Sequence, residues 1–239
     1  MTRDECAFAD LIEQAEQYGP ITMSVAHPCS PESLMGAVES AEHGLITPIL
    51  VAPRARLEKL AESCDIDLSR YRIEDVEHSH AAAERAVELV RNGEAQALMK
   101  GSLHTDEFMS AALDRHKGIR TDRRISHVFI MKVESYPRYL FITDAAINIS
   151  PDLKTKVDIT QNAIDAARML GIDTPKVAIL SAVETVSPNI PSTIDAAALC
   201  KMADRGQIKG GLLDGPLAFD NAVSLVAAKT KGIRSAVAG

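Results

Sequence analysis

The sequence contains no tryptophan, and Phe and Tyr together make up only 4% of its 239 residues. A core built from this composition depends on Ala, Val, Leu and Ile, the residues that fill parallel sheets covered by helices. Hydrophobic residues reach 46% and charged residues 25%, which is ordinary for a globular protein. The length predicts one large domain or two modest ones, each with its own core.

Cysteine is also scarce, with four residues spread along the chain and no C-x-x-C pair. This spacing makes a metal cluster unexpected, and the low density is typical of a reducing compartment. The first residues lack the apolar core of a signal peptide, and no apolar run approaches the length of a membrane span. We therefore expect a soluble, cytoplasmic protein with no membrane partner.

Positive charge is in the minority, because the formal net charge is −7. This balance argues against a nucleic-acid partner, which usually meets a basic face. It does not exclude an anionic substrate, since a site needs only a few well-placed Arg or Lys side chains.

Several motifs that define enzyme classes are missing. The chain has neither the G-x-x-x-x-G-K-S/T phosphate loop nor the G-x-G-x-x-G fingerprint, and both H-E-x-x-H and G-x-S-x-G are absent. These absences argue against a P-loop NTPase, a zinc protease and an α/β-hydrolase.

Helical and strand-like patterns alternate through the first half of the chain. The patterns predict helices over residues 4–18, 31–43 (capped by Ser30), 54–64, 81–91 and 105–115, and strands over 21–26, 48–52, 71–76 and 97–99. This order is typical of a parallel sheet with helices on both faces.

Near residues 118–125 the pattern changes, which predicts two α/β lobes, 1–122 and 123–239. The second lobe is predicted to open with a hairpin, 125–133 and 139–143, turning at 134–137 and making the sheet mixed. Further elements are predicted at 153–170 (helix), 176–181 (strand), 192–205 (helix capped by Thr193 or Ser192), 211–214 (strand end), 220–229 (helix) and 233–237 (strand).

The loop from Lys100 to Thr105 is the first candidate site, because it joins a predicted strand to a predicted helix. Gly101 lets backbone N–H groups approach an anion, and a helix N-terminus favours negative charge. Lys100 adds a positive charge, and Ser102 and Thr105 add hydroxyl donors. These features fit a phosphate site, and equally a plain turn in which Ser102 or Thr105 caps the helix.

Other polar segments also follow predicted strands, where open α/β sheets bind ligands. They are 143–148, which includes Asp144 and Asn148, 181–184, and 214–221, in which Asp214 is predicted to end a strand before a Gly215-Pro216 turn and Asp220 to cap a helix. A basic run lies beside the predicted lobe boundary and comprises Arg115, Lys117, Arg120, Arg123 and Arg124. Such runs are usually solvated surface, although Arg forks also match phosphate oxygens.

Together these segments resemble the phosphate acetyl/butyryltransferase family. The resemblance is carried, in family order, by VAHPCSPESL, PILVAP, ALMKGSLHTDEFMSAAL, RISHVFIM, FITDAAINISPDLKTKVDITQNAIDAARMLGI, PKVAILSAVE, CKMADRGQIKGGLLDGPLAFDNAVS and KGIRSAVAG. The pattern is most similar to the branch that some bacteria fuse to an enoyl-CoA hydratase-type domain. It implies a two-lobed fold like the isocitrate/isopropylmalate dehydrogenases, with the active site in the interlobe cleft.

The resemblance also implies an activity, the reversible transfer of an acetyl or short acyl group between coenzyme A and inorganic phosphate. Coenzyme A, phosphate and acyl phosphate are then substrates, with no tightly bound cofactor and no required metal, and the enzyme is a homodimer. Family members continue past the position of Gly239 into a Ser-Arg-x-x-Asp element that is absent here. We therefore expect a truncated chain of impaired activity, and no catalytic residue is assigned.

The substrate-binding residues that the resemblance suggests are Lys100, Gly101, Ser102, Thr105, Arg120, Arg123, Arg124, Asp144, Asn148 and Asp214. Two other hypotheses stay open at this point. One is an NAD-dependent hydroxy-acid dehydrogenase of the same architecture, and the other is a non-catalytic module that binds coenzyme A or phosphate.

Overall fold

The computed structural model describes residues 8–239. The chain divides into two compact units, Met1–Asp122 and Arg123–Gly239, and each is described by itself. None of the helices in the described residues is long and apolar enough to cross a membrane.

The first unit alternates strands with helices, as the sequence predicts. Its elements in chain order are α1 (Ala9–Glu16), β1 (Ile21–Ala26), α2 (Pro31–Glu42), β2 (Ile46–Ala52), α3 (Arg54–Ser63), β3 (Arg72–Asp75), α4 (Ser79–Arg91), β4 (Ala97–Lys100) and α5 (Thr105–Ala112). The part of the first predicted helix that precedes residue 8 lies outside the described residues.

The second unit has a different order of elements. They are β5 (Phe129–Val133), β6 (Tyr136–Ile142), α6 (Leu153–Met169), β7 (Lys176–Leu180), α7 (Pro191–Asp204), β8 (Leu212–Leu217), α8 (Phe219–Val223) and α9 (Leu225–Thr230).

The four strands of the first unit form a parallel sheet in the order β3-β2-β1-β4. Successive residues of a strand point to opposite faces, so Val25 and Leu50 pack with α2 and α3, whereas Ala26 and Val51 pack with α4. Helices therefore cover both faces, as predicted. The apolar runs of β1 and β2 are explained by burial on both sides.

The start of α2 follows directly from its sequence. Ser30 accepts a hydrogen bond from the backbone N–H of Ser33, and the Ser33 hydroxyl accepts one from the N–H of Ser30. Pro31 occupies the first helical position, where its missing N–H costs nothing. The predicted cap is confirmed, and Ser30 lies four residues after the last residue of β1.

The second unit contains two separate two-stranded sheets. β5 and β6 form an antiparallel hairpin, and β7 and β8 form a parallel pair. Ile164, Leu199 and Ile208 form the buried centre of its core. The predicted hairpin is confirmed, but the prediction of a single mixed sheet in this unit is wrong.

The hairpin bounds also differ from the prediction. β5 begins at Phe129, four residues late, because residues before it are held by side chains: the Asn148 amide donates to the Ile125 carbonyl at 3.0 Å. β6 begins at Tyr136, so the turn is only Glu134 and Ser135. Pro137 lies within β6, and a two-stranded sheet tolerates it because both strands are edges.

The predictions near the C-terminus need correction. The predicted helix 220–229 is two helices, because Ser224 is extended and its hydroxyl caps α9 by accepting from the Ala227 N–H. Ala218, not Asp220, is the N-cap residue of α8. No strand is found at 233–237 in the described chain.

Two further predictions in this unit are wrong. The N-cap residue of α7 is Ile190, with Pro191 at the first helical position, because the Thr193 hydroxyl is buried and instead donates to the Ile190 carbonyl at 2.7 Å. Asp214 does not end a strand, because β8 continues through the cis Gly215–Pro216 bond and its pairing with β7 becomes irregular there.

Candidate functional site

The candidate site of the first unit lies where β1 and β4 end side by side. β1 pairs with β2 on one side and with β4 on the other, so the strand order reverses between β1 and β4. In open α/β sheets such a switch point forms the crevice in which ligands bind. The segment that follows β1 and the loop that follows β4 are therefore neighbours.

His27 is the first residue after β1, and the structure gives it an unusual backbone. Its φ is 53°, in the left-handed region that residues other than glycine rarely occupy. Only 4% of the residue is exposed. Its N–H donates to the Val51 carbonyl at 2.8 Å, and its Nδ1 lies 3.0 Å from the Ser102 carbonyl oxygen.

The loop after β4 is bound to His27 through its backbone. The N–H of Gly101 donates to the Ala26 carbonyl, and the N–H of Ser102 donates to the His27 carbonyl, each at 2.8 Å. The Ser102 hydroxyl also donates to the His27 carbonyl at 3.2 Å. A Cβ at Gly101 would lie 2.5 Å from the His27 carbonyl oxygen, so this close approach requires glycine.

The first turn of α5 has backbone N–H groups without a side-chain cap. The N-cap residue is His104, whose side chain makes no capping bond, so neither Ser102 nor Thr105 caps the helix. Such uncapped N–H groups are where helices bind anions. Two acidic residues, Asp106 and Glu107, share this turn, and Lys100, which is exposed, supplies the positive charge on the adjoining strand.

The basic run contributes less free positive charge than the sequence suggests. Arg123 forms an ion pair with Asp165 at 2.6 Å, with both side chains nearly half exposed. Partial burial raises the pKa of Asp165, but hydrogen bonds from Arg123 and Gln161 outweigh it and hold this pKa below its ordinary value. Arg120 is exposed, with no hydrogen bond or ion pair in the described part of the chain.

In the second unit Asp144 organises the segment after β6. It accepts from the backbone N–H groups of Ala146, Ile147 and Asn148 at 3.1 Å, from the Asn148 amide at 2.5 Å and from the His127 N–H at 3.2 Å. Partial burial raises its pKa, but these bonds outweigh burial and lower it. With five donors on two oxygens, the carboxylate serves to hold the loop in shape.

The ends of β7 and β8 bring together the other two predicted segments. Glu184 accepts hydrogen bonds from the Asn221 amide and from Lys231, the latter at 3.0 Å. Lys231 also contacts Asp220 at 3.0 Å, and bonds to both acids raise its pKa. Asn221 is fully buried, with its Oδ1 unpaired.

Asp214 lies apart from this network. Its carboxylate accepts the N–H of the following Gly215 at 2.9 Å. Its charge acts on Cys200, whose pKa is raised to about 11, mainly by burial and then by Asp214.

Sequence reasoning missed two residues of these sites, His27 and Lys231. Lys231 is 47 residues from Glu184 in the chain, so no local pattern could connect them. For His27 the only signal was its position directly after a buried strand and before Pro28. Among residues 8–239, no group of three or more His, Cys, Asp or Glu side chains is placed to hold a metal ion.

A parallel α/β unit with a glycine loop at its switch point is typical of enzymes that bind anionic ligands. Comparison with known proteins gives the family. The model of the family described as phosphate acetyl/butaryl transferase matches residues 77–239. The chain is 60% identical over 229 residues to the phosphate acetyltransferase of Rhizobium meliloti, covering 96% of this chain and 72% of that protein.

A second relative carries the other family name. The chain is 40% identical over 232 residues to the phosphate butyryltransferase of Clostridium beijerinckii, covering 97% of this chain and 77% of that protein. The chain therefore belongs to the phosphate acetyl/butyryl transferase family, which confirms the resemblance found in the sequence.

Solved structures agree with this assignment. A branched-chain phosphotransacylase from Enterococcus faecalis matches with a TM-score of 0.76 and 27% identity, over 92% of this chain and 76% of that one. A phosphotransacetylase from Streptococcus pyogenes matches with a TM-score of 0.79 and 22% identity, over 100% of this chain and 80% of that one. At that lower identity the second match shows the fold alone.

Proposed function

We propose that the protein is a phosphate acyltransferase that moves an acetyl or short-chain acyl group reversibly between coenzyme A and inorganic phosphate. The observation that carries this proposal is the 60% identity to a phosphate acetyltransferase over 229 residues. The resemblance to both acetyl and butyryl transferases leaves the acyl chain open, since pockets discriminate poorly between chains that differ by a methylene or two.

In the direction of acyl-CoA synthesis, the thiolate sulfur of coenzyme A attacks the carbonyl carbon of an acyl phosphate. The carbon–sulfur bond forms, the carbon–oxygen bond to phosphate breaks, and phosphate leaves with the electron pair. The thiol proton must first go to a base, because a free thiol has a pKa of about 8.5. The proposal assigns no side chain as that base.

The phosphate group is proposed to bind at the start of α5. Lys100 supplies charge, the uncapped N–H groups of the first turn supply donors, and the Thr105 hydroxyl supplies another. The N–H groups of Gly101 and Ser102 are already bonded to carbonyls of β1 and His27. Gly101 and Ser102 are therefore proposed to shape the loop.

Of the remaining predicted residues, one is proposed to contact phosphate and the others to hold the shape of their segments. Arg120 contacts a phosphate of the substrate or of coenzyme A. Arg123, Arg124, Asp144, Asn148 and Asp214 shape the segments on which they lie. Asp144 does so through the five bonds described above, and Arg124 through its backbone N–H, which donates to Asp158 at 3.0 Å.

Other parts of the proposal come from the family resemblance. They are the isocitrate/isopropylmalate dehydrogenase-like architecture of the chain, a homodimer, a cytoplasmic location, and coenzyme A as substrate with no tightly bound cofactor. The dehydrogenase hypothesis is not favoured, because the relatives are named acyltransferases.

An assay of thioester formation tests this function. The chain is mixed with coenzyme A and acetyl or butyryl phosphate, and the thioester is followed by its ultraviolet absorbance. We expect formation that saturates in both substrates with at least one of the two acyl phosphates. Thioester formation no faster than in the protein-free control, with either acyl phosphate, would contradict the proposal.

A further inference from the structure

We propose that His27 is a positioning residue for the phosphate site, which fixes the loop Lys100–Thr105 from the neighbouring strand. This inference rests on the proposed function. His27 itself is not proposed to contact phosphate.

All three polar groups of Ser102 are bonded to this one residue. The Ser102 N–H and hydroxyl both donate to the His27 carbonyl, at 2.8 and 3.2 Å. The Ser102 carbonyl lies 3.0 Å from His27 Nδ1. Because a carbonyl only accepts, the Nδ1 atom must carry the proton that makes this bond. The conformation of Ser102 therefore depends on His27 at three points.

The left-handed backbone of His27 is part of the same arrangement. Its carbonyl accepts from Ser102 and also from the Cys29 N–H at 2.8 Å. A left-handed conformation is unfavourable for a residue with a side chain, and it persists where the surroundings over-determine it. Here burial to 4% exposure and the bonds to Ser102 do so.

The bonds act at the point where the loop leaves β4. Gly101 lies against the His27 carbonyl with no room for a Cβ, so the backbone of the loop is already in close contact with His27. Lys100 precedes this contact and α5 begins three residues after Ser102. His27 therefore sets where the Lys100 charge and the N–H groups of α5 lie relative to one another.

The matched variants are His27→Gly and His27→Asn. Glycine accepts the left-handed φ without cost but has no side-chain donor, so the Ser102 carbonyl loses its partner. Asparagine tolerates the left-handed region better than most residues, and its amide NH₂ replaces the Nδ1 donor. The pair separates the hydrogen bond from the backbone conformation.

Steady-state kinetics in the direction that consumes phosphate give the readout. We expect His27→Gly to raise the KM for phosphate about tenfold, with the KM for coenzyme A thioester changed less than about twofold, and His27→Asn to recover most of the loss. An unchanged phosphate KM in His27→Gly, or equal damage in both variants, would overturn the inference. If the unchanged chain shows no phosphate-dependent transfer, the proposed function fails instead.

Hydrogen exchange of the unchanged chain provides a test that needs no variant. The backbone N–H groups of Gly101 and Ser102 should exchange as slowly as that of Val25 in β1, because each is bonded to a buried carbonyl. Exchange at the rate of an exposed loop would overturn the inference even if the variants do not fold.

Discussion

Replacing Gly101 by Ala tests the contact on which the candidate site depends. A Cβ at this position would lie 2.5 Å from the His27 carbonyl oxygen and 2.7 Å from that of Ala26. Both atoms belong to the backbone of the central strand β1 or the residue after it, so they cannot swing aside as the end of a long side chain can. The loop must therefore move away from β1.

The size of the effect follows from two opposing terms. Forcing an extra carbon into a filled space costs about 1–3 kcal/mol. Replacing glycine reduces the freedom of the unfolded chain, which returns about 0.4–1 kcal/mol where the conformation is compatible. We expect a net loss of roughly 1–2 kcal/mol in the free energy of unfolding of the first unit, together with a higher KM for phosphate.

Gly36, in the middle of α2, provides the matched control. Apart from the backbone of its own helix and its chain neighbours, no atom of the described residues lies within 4 Å of a Cβ added there. Gly36→Ala should raise stability by about 0.5–1 kcal/mol, because glycine inside a helix is unfavourable. Urea titration followed by far-ultraviolet circular dichroism measures both variants. A Gly101→Ala protein as stable as the unchanged chain, with the same phosphate KM, would refute the close contact.

Three other predictions concern Asp144, Arg123 and Cys200. Asp144→Asn should lower the free energy of unfolding at neutral pH by about 1–3 kcal/mol. Because the folded-state pKa of Asp144 is depressed, its stabilisation is present above about pH 4 and is lost as the pH falls through that lower pKa. Urea titrations at several pH values should therefore show that the variant loses less stability in acid than the unchanged chain does. Arg123→Ala removes a half-exposed ion pair with Asp165 and a hydrogen bond to the Asn162 side chain. Because partly exposed ion pairs contribute little to stability, thermal unfolding should show a loss of about 1 kcal/mol or less. The KM for phosphate should stay within about twofold, and a tenfold rise would instead place this guanidinium on phosphate. Cys200 has a pKa of about 11, so only about one thousandth of its thiol should be ionised at pH 8. We therefore expect Cys200 to resist iodoacetamide until the protein unfolds, which mass spectrometry of labelled peptides can show. Rapid labelling of Cys200 in the folded chain would contradict this.

Much of the fold could be predicted from local patterns. β1 was placed correctly from its apolar run, and α2 from its Ser30 cap, because both signals lie in adjacent residues. The break at Ser224 was missed since a serine inside a helical pattern is ambiguous. The continuation of β8 past Gly215-Pro216 was missed because these residues usually indicate a turn.

The candidate site could be predicted only in part. The loop Lys100–Thr105 was recognised from its glycine between a strand and a helix. The contact of this loop with His27 depends on the pairing of β1 with β4. His27 and Ser102 are 75 residues apart in the sequence, so no local spacing pattern could predict that they are bonded. The pairing of Arg123 with Asp165 is likewise a tertiary contact, 42 residues apart, and it changes what the basic run can contribute.

The role of Lys100 in binding phosphate is tested by comparing the phosphate dependence of acyl transfer in the unchanged chain, in Lys100→Ala and in Lys59→Ala. Lys59 is an exposed lysine on α3 and serves as the control for loss of one charge. Release of coenzyme A from acetyl-CoA is measured with a thiol reagent as phosphate is varied. We expect saturation with phosphate in the unchanged chain, a KM for phosphate about tenfold higher in Lys100→Ala, and no change in Lys59→Ala. Release that does not depend on phosphate, or equal phosphate KM values in Lys100→Ala and the unchanged chain, would contradict this expectation.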